Sequence, residues 1–137
     1  MKPLAPVPAP ALVLALFVLV AGTASPVAAA TDLTGSWRLS AKVETFAFML
    51  NCKLVQTGDR LGGICTDVAT NDAQHKPQGS HALTAGTVQG DRVSFAYRTH
   101  FLLIPFTASY AGVLAGDTIT GEAVAPGHKG SFTAVRE

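Results

Sequence analysis

From Ser36 to Glu44 the chain alternates without a break, with Trp37, Leu39, Ala41 and Val43 on one side and Ser36, Arg38, Ser40, Lys42 and Glu44 on the other. A period of two is the pattern of a strand with one buried face. Similar alternation recurs to the C-terminus. It is interrupted three times by one phrase: Gly58-Asp59-Arg60-Leu61, Gly90-Asp91-Arg92-Val93 and Gly116-Asp117-Thr118-Ile119. A Gly-Asp pair between alternating runs is a two-residue hairpin turn, because glycine accepts the positive φ that twisted strands demand there. No segment after residue 30 sustains a helical period. The pattern predicts eight strands, at about 35–43, 47–57, 60–68, 80–89, 92–100, 107–115, 118–125 and 130–136. The expected fold class is all-β, an eight-stranded antiparallel up-and-down β-barrel, in which closure removes the exposed edges of a flat sheet. A β-sandwich is the alternative.

The turns also fix registers. The first sets Thr57 against Arg60, Leu54 against Gly63, and Cys52 against Cys65, the only two cysteines of the chain. A cross-strand disulfide is therefore predicted, worth about 2–4 kcal/mol in a small domain. The second sets Val88 against Val93, Gly86 against Phe95 and Thr84 against Tyr97. The third sets Leu114 against Ile119, Gly112 against Gly121 and Tyr110 against Ala123. Phe132 and Ala134 of the last strand point inward, and inner-face glycines suit a tightly curled sheet. Asp67 is anomalous: strict alternation from Cys65 points it inward near Leu50. A β-bulge after Cys65 is expected to turn it away; otherwise it is a carboxylate at a barrel mouth.

In this topology the three Gly-Asp turns share one end. The opposite end collects Thr45 and Phe46, a long polar loop at 69–80, the apolar run Phe101 to Phe106 (FLLIPF), and Pro126 to Lys129. An apolar hairpin loop is unusual, since such loops face water. It either folds over the mouth to complete the core, or lids a pocket, or docks on a partner. The four histidines, His75, His81, His100 and His128, also map here. None has metal-ligand spacing, and His81 and His100 fall opposite each other on the outward face, so no metal site is expected.

Composition adds a compartment. Lys2 precedes an apolar run from Ala11 to Ala21, and the stretch ends in Ala28-Ala29-Ala30, an A-x-A cleavage pattern. Residues 1–30 read as a secretory signal peptide cleaved after Ala30, with Ala24 the alternative site. The run is too short to span a bilayer, so no anchor is expected after cleavage. Residues 31–137 then form a single 107-residue domain, periplasmic or secreted, with nine basic and nine acidic side chains. A neutral domain with no basic run carries no footprint for nucleic acid.

Nucleophile elbow, zincin, phosphate-loop and dinucleotide motifs are all missing from the sequence, so it names no catalytic residue and no cofactor. Gly35-Ser36-Trp37 on the first strand, with Arg136 on the last, resembles the signature of the calycin superfamily (lipocalins, fatty-acid-binding proteins and avidins). The resemblance implies structural roles for Trp37 and Arg136 at a closed barrel base. The start of the mature chain also resembles periplasmic barrel inhibitors of bacterial metalloproteases, though without their N-terminal trunk.

Three functions follow as expectations. The first is binding of a small apolar ligand at the loop-rich end, lined or lidded by Phe46, Phe48, Phe95, Tyr97, Phe101, Leu103 and Tyr110. The second is a protein-binding module, a protease inhibitor or envelope factor, that engages its partner through Phe101-Phe106. The third is a cofactor-free, cyclase-like barrel enzyme, for which Asp67 is the candidate acid or base.

Overall fold

The computed structural model describes residues 2–6, 22, 32–73, 76–77 and 79–137. Most of the stretch at 1–30 that is expected to be a leader, and His75, therefore lie outside the described residues. Eight antiparallel strands close into a barrel in chain order: β1 (Gly35–Val43), β2 (Phe46–Thr57), β3 (Arg60–Thr70), β4 (Ser80–Gln89), β5 (Arg92–Phe101), β6 (Ile104–Ala115), β7 (Thr118–Ala125) and β8 (His128–Arg136). The all-β barrel is thus the fold, and the sandwich is not.

At the closed end the repeated phrase has a structural cause. Gly58, Gly90 and Gly116 each adopt φ near +60°, as the first position of a tight hairpin turn requires. Each following aspartate then offers its main-chain carbonyl to the neighbouring hairpin. Asp59 accepts from the Val88 amide, Asp91 from Leu114 and Asp117 from Arg136, at 2.7–2.9 Å. Three turns thus interlock around one end.

Residues 32–34 cross that end as a plug. Leu33 is fully buried, its amide donates to the Gln56 side chain, and its carbonyl accepts from the Trp37 indole at 2.9 Å. Arg136 lies over the Trp37 ring at 4.5 Å and donates to the Thr34 and Asp32 carbonyls and to the Asp117 carboxylate. A guanidinium over an indole face gains cation–π attraction while its fork satisfies carbonyls that would otherwise be unpaired.

Above the plug, the Cys52–Cys65 disulfide links β2 to β3 with a Cα separation of 4.0 Å. Both cysteines are buried in the core with Leu39, Leu50, Leu54, Val93 and Ile119. On the far wall Gly112 and Gly121 pair directly. A Cβ on Gly121 would collide with the Ala111 carbonyl, and one on Gly112 would press on Phe132. The bare backbone there admits the Phe132 ring, which meets Phe95 and Tyr110 edge-on.

The predicted registers hold from each Gly-Asp turn up to mid-barrel, and fail where bulges intervene. In β4, Leu83 rather than Thr84 faces Tyr97, because Thr84 is an extra residue between Leu83 and Ala85. A bulge reverses the facing of everything beyond it. His81 is consequently inward and only 8% exposed, not outward opposite His100. In β3 the bulge falls beyond Asp67, not between Cys65 and Asp67 as expected: Asp67 still pairs with Leu50 while Ala69 pairs with Met49, leaving Val68 as the extra residue. Asp67 therefore keeps its inward facing. Phe101 to Phe106 is also not a loop. Phe101 pairs with Ile104 and His100 with Pro105, so β5 and β6 continue to a two-residue turn at Leu102-Leu103.

Candidate functional site

Among the described residues the loop-rich end is open. A cavity of about 580 Å³ descends from it, bordered among others by Phe46, Phe48, Phe106, Ala108, Ala123 and Ala125, with Tyr97 and Tyr110 at its base. Its walls arise because β2, β5, β6 and β7 carry aromatic or small apolar residues at their inward positions near the mouth. The closed end fills the same positions with Leu, Ile and Trp. Phe101 at the rim lies four residue steps along the strand from Tyr97, roughly 13 Å.

The base is polar in a narrow spot. The Tyr97 and Tyr110 hydroxyls lie 2.7 Å apart. Burial pushes both phenols well above their ordinary pKa, and the Asp67 charge adds to the shift at both. His81 stacks on the outer face of this pair, 5.0 Å from the Tyr97 ring centre, and its Nε2 lies 3.0 Å from the Asp67 carboxylate. Asp67, which also borders the cavity, is thus held between a buried histidine and the open space.

The rim is stitched together by polar contacts. His128, in the first residue of β8, bonds Glu44 in the β1–β2 turn at 2.6 Å. Asn71 spans the start of the long loop and the β1–β2 corner: its side chain accepts from the Ala47 amide and donates to the Thr45 carbonyl, while its own amide donates to Ala47. These bonds fix the mouth of the strand pair that carries Phe46 and Phe48.

Of the residues singled out from sequence, Phe46, Phe48, Tyr97, Phe101 and Tyr110 border the cavity. Phe95 does not; it lies one layer deeper, stacked against the Tyr110 ring at 4.9 Å. Leu103 does not either, since it projects from the β5–β6 turn and is 95% exposed. Sequence reasoning placed Phe106 in an apolar loop and Ala123 opposite Tyr110 without assigning either to the lining, and it passed over Ala108 and Ala125; all four border the cavity. It also passed over Asn71, whose role depends on a loop contact that no periodicity encodes.

No protein-family model matches the chain, and no curated protein matches it either. Among solved structures it is similar to a redesigned β-barrel, mFAP1, solved bound to DFHBI. The likeness has a TM-score of 0.55 at 12% sequence identity and covers 77% of this chain and 94% of that one. At that identity the shared property is the barrel itself.

Proposed function

We propose that this chain is an exported barrel that binds a small, largely apolar molecule through its open mouth. The observation that carries the reading is the cavity. Its volume of about 580 Å³ falls within the roughly 300–1,000 Å³ typical of ligand pockets, and so does its character, apolar walls with a few convergent polar groups. A barrel whose sole role was structural would fill this space with side chains, as it does at the other end. The redesigned barrel of similar fold holds DFHBI, which supports the architecture as a ligand carrier. Phe46, Phe48, Phe101, Tyr97 and Tyr110 act by burial and shape. The Cys52–Cys65 bridge suits an oxidising compartment and supports the leader at residues 1–30, with the domain at 31–137. Trp37 beneath Arg136 supports a calycin-like relationship.

Native mass spectrometry of the protein from its own host tests the reading directly: a retained apolar adduct is expected. Ala125→Trp, which places an indole in the mouth from a half-buried position, is expected to abolish the adduct and leave the fold intact. A wild-type protein that carries no adduct and takes up no neutral hydrophobic fluorophore overturns the proposal.

One observation favours a second reading, the protein-binding module. Leu102, Leu103 and Ile104 stand exposed at the β5–β6 tip beside the mouth, and contiguous exposed apolar residues mark docking sites. Leu103→Asp separates the two. It leaves small-molecule uptake unchanged under the first reading and abolishes partner capture under the second.

A further inference from the structure

The base of the cavity restricts what kind of molecule fits, given the small-ligand reading on which this inference rests. Two phenols bring two protons, and a single bond joins their oxygens. Whichever hydroxyl donates, its partner keeps a proton. Among the described residues no other group hydrogen-bonds either hydroxyl. Tyr97 and Tyr110 are only 3% and 1% exposed, yet both border the cavity. That second proton is available to whatever occupies the space, solvent in the free protein or ligand in the complex. Each tyrosine has a large neighbour on one side, Leu83 for Tyr97 and Phe95 for Tyr110, and an alanine on the other, Ala108 and Ala123, whose small side chains leave room for a head group beside the hydroxyls.

We propose that the ligand is a neutral apolar molecule whose leading end carries a hydrogen-bond acceptor oxygen, such as the carbonyl of a ketone, ester or lactone, taken by the Tyr97–Tyr110 hydroxyl pair. A plain hydrocarbon would strip solvent from the donor and leave it unmet, a costly arrangement in a buried site. A carboxylate would accept the proton but would bring a second carboxylate to the space that Asp67 borders, where His81 already bonds Asp67 at 3.0 Å, and two carboxylates sharing one histidine repel as water is excluded. Reversing the carboxylate so that its head meets Lys76 at the rim puts a methyl group against the hydroxyls and again leaves the donor unmet. A neutral acceptor avoids both penalties.

Displacement of the neutral fluorophore N-phenyl-1-naphthylamine from the folded protein tests this with three matched probes: 2-undecanone, n-undecane and undecanoate. The ketone is expected to bind about tenfold more tightly than the other two, the equivalent of one well-placed hydrogen bond. The double variant Tyr97→Phe/Tyr110→Phe removes both partners together, a change that buried sites tolerate. It is expected to erase the ketone's advantage, in part by tightening n-undecane, which no longer leaves a buried donor unmet, while an unchanged circular dichroism spectrum reports that the barrel is intact. Asp67→Asn is expected to raise undecanoate affinity several-fold. The proposal is overturned if undecanoate binds wild-type protein best, or if the double variant keeps the ketone preference. Fluorophore binding with no preference among the three probes sinks the head-group assignment alone; failure of fluorophore and probes together sinks the small-ligand reading with it.

Discussion

At the closed end of the barrel each tight turn places glycine where φ is positive; at the open end the β7–β8 turn does so with Gly127, but in the β1–β2 and β5–β6 turns Glu44 and Leu102 occupy that conformation, with φ of 56° and 54°. The first arrangement is free of strain, whereas the second costs on the order of 1–2 kcal/mol at each residue. The same contrast runs through the interior. Trp37, Leu33, Leu39 and Ile119 pack solidly below, and a cavity opens above. Stability is concentrated at one end, and the other end is left with exposed apolar surface, a strained backbone and room inside. Such regions are the ones that proteins reserve for binding.

The sharpest way to break this comparison is to damage each end in turn. Trp37→Ala removes a buried indole and the seat of Arg136, and is expected to cost about 3–5 kcal/mol; Phe46→Ala at the half-buried rim should cost under about 1 kcal/mol. Urea denaturation followed by circular dichroism measures both, and equal losses would end the idea of a stabilising base. Replacing both cysteines by alanine should cost about 2–4 kcal/mol, leaving the barrel folded at neutral pH and low denaturant.

A pH experiment probes the boundary between the two halves. The buried phenols of Tyr97 and Tyr110 titrate above their ordinary value near 10, while the unfolded chain ionises them at that value. The stability is therefore complete below pH 10 and declines as pH rises beyond it, by up to about 1.4 kcal/mol per unit for each tyrosine. The chain has only these two tyrosines, so phenolate absorbance should rise together with unfolding and not before it. Phenolate formation in a still-folded barrel would show that water reaches the base of the cavity freely.

The smallest effect is the most specific. Leu102→Gly should stabilise the protein by roughly 1 kcal/mol by relieving its backbone, whereas Gly90→Ala at the other end should destabilise by a similar amount. Thermal denaturation of the pair is the measurement, and shifts of the same sign would refute the contrast between the turns.

The closed end was readable from sequence because everything there is local. A Gly-Asp pair sets a register, and the register carries outward to Cys52 and Cys65 and to the Gly112–Gly121 pair without interruption. The open end resisted the same counting. One extra residue at Val68 and another at Thr84 sit beyond mid-barrel, and alternation alone cannot say which residue is the extra one. That is why His81 was expected on the surface, and why Asp67 was expected to turn away. FLLIPF misled for a different reason: without glycine, Leu102-Leu103 carries no turn signal, so a tight hairpin resembled a six-residue loop. The aromatic lining was recovered in part because hydrophobicity near a mouth is visible in sequence, but which layer a ring occupies is not, as Phe95 shows.

The lone tryptophan has an optical consequence. Trp37 sits at the sealed base, beneath a guanidinium and above Leu33, with the two tyrosines higher in the barrel at the base of the cavity. Its emission will therefore report whether the barrel is folded and remain almost blind to what enters the mouth. The tyrosine bands will respond to an occupant. Wild-type protein thus offers two separate spectral channels, one for integrity and one for occupancy, with no label attached.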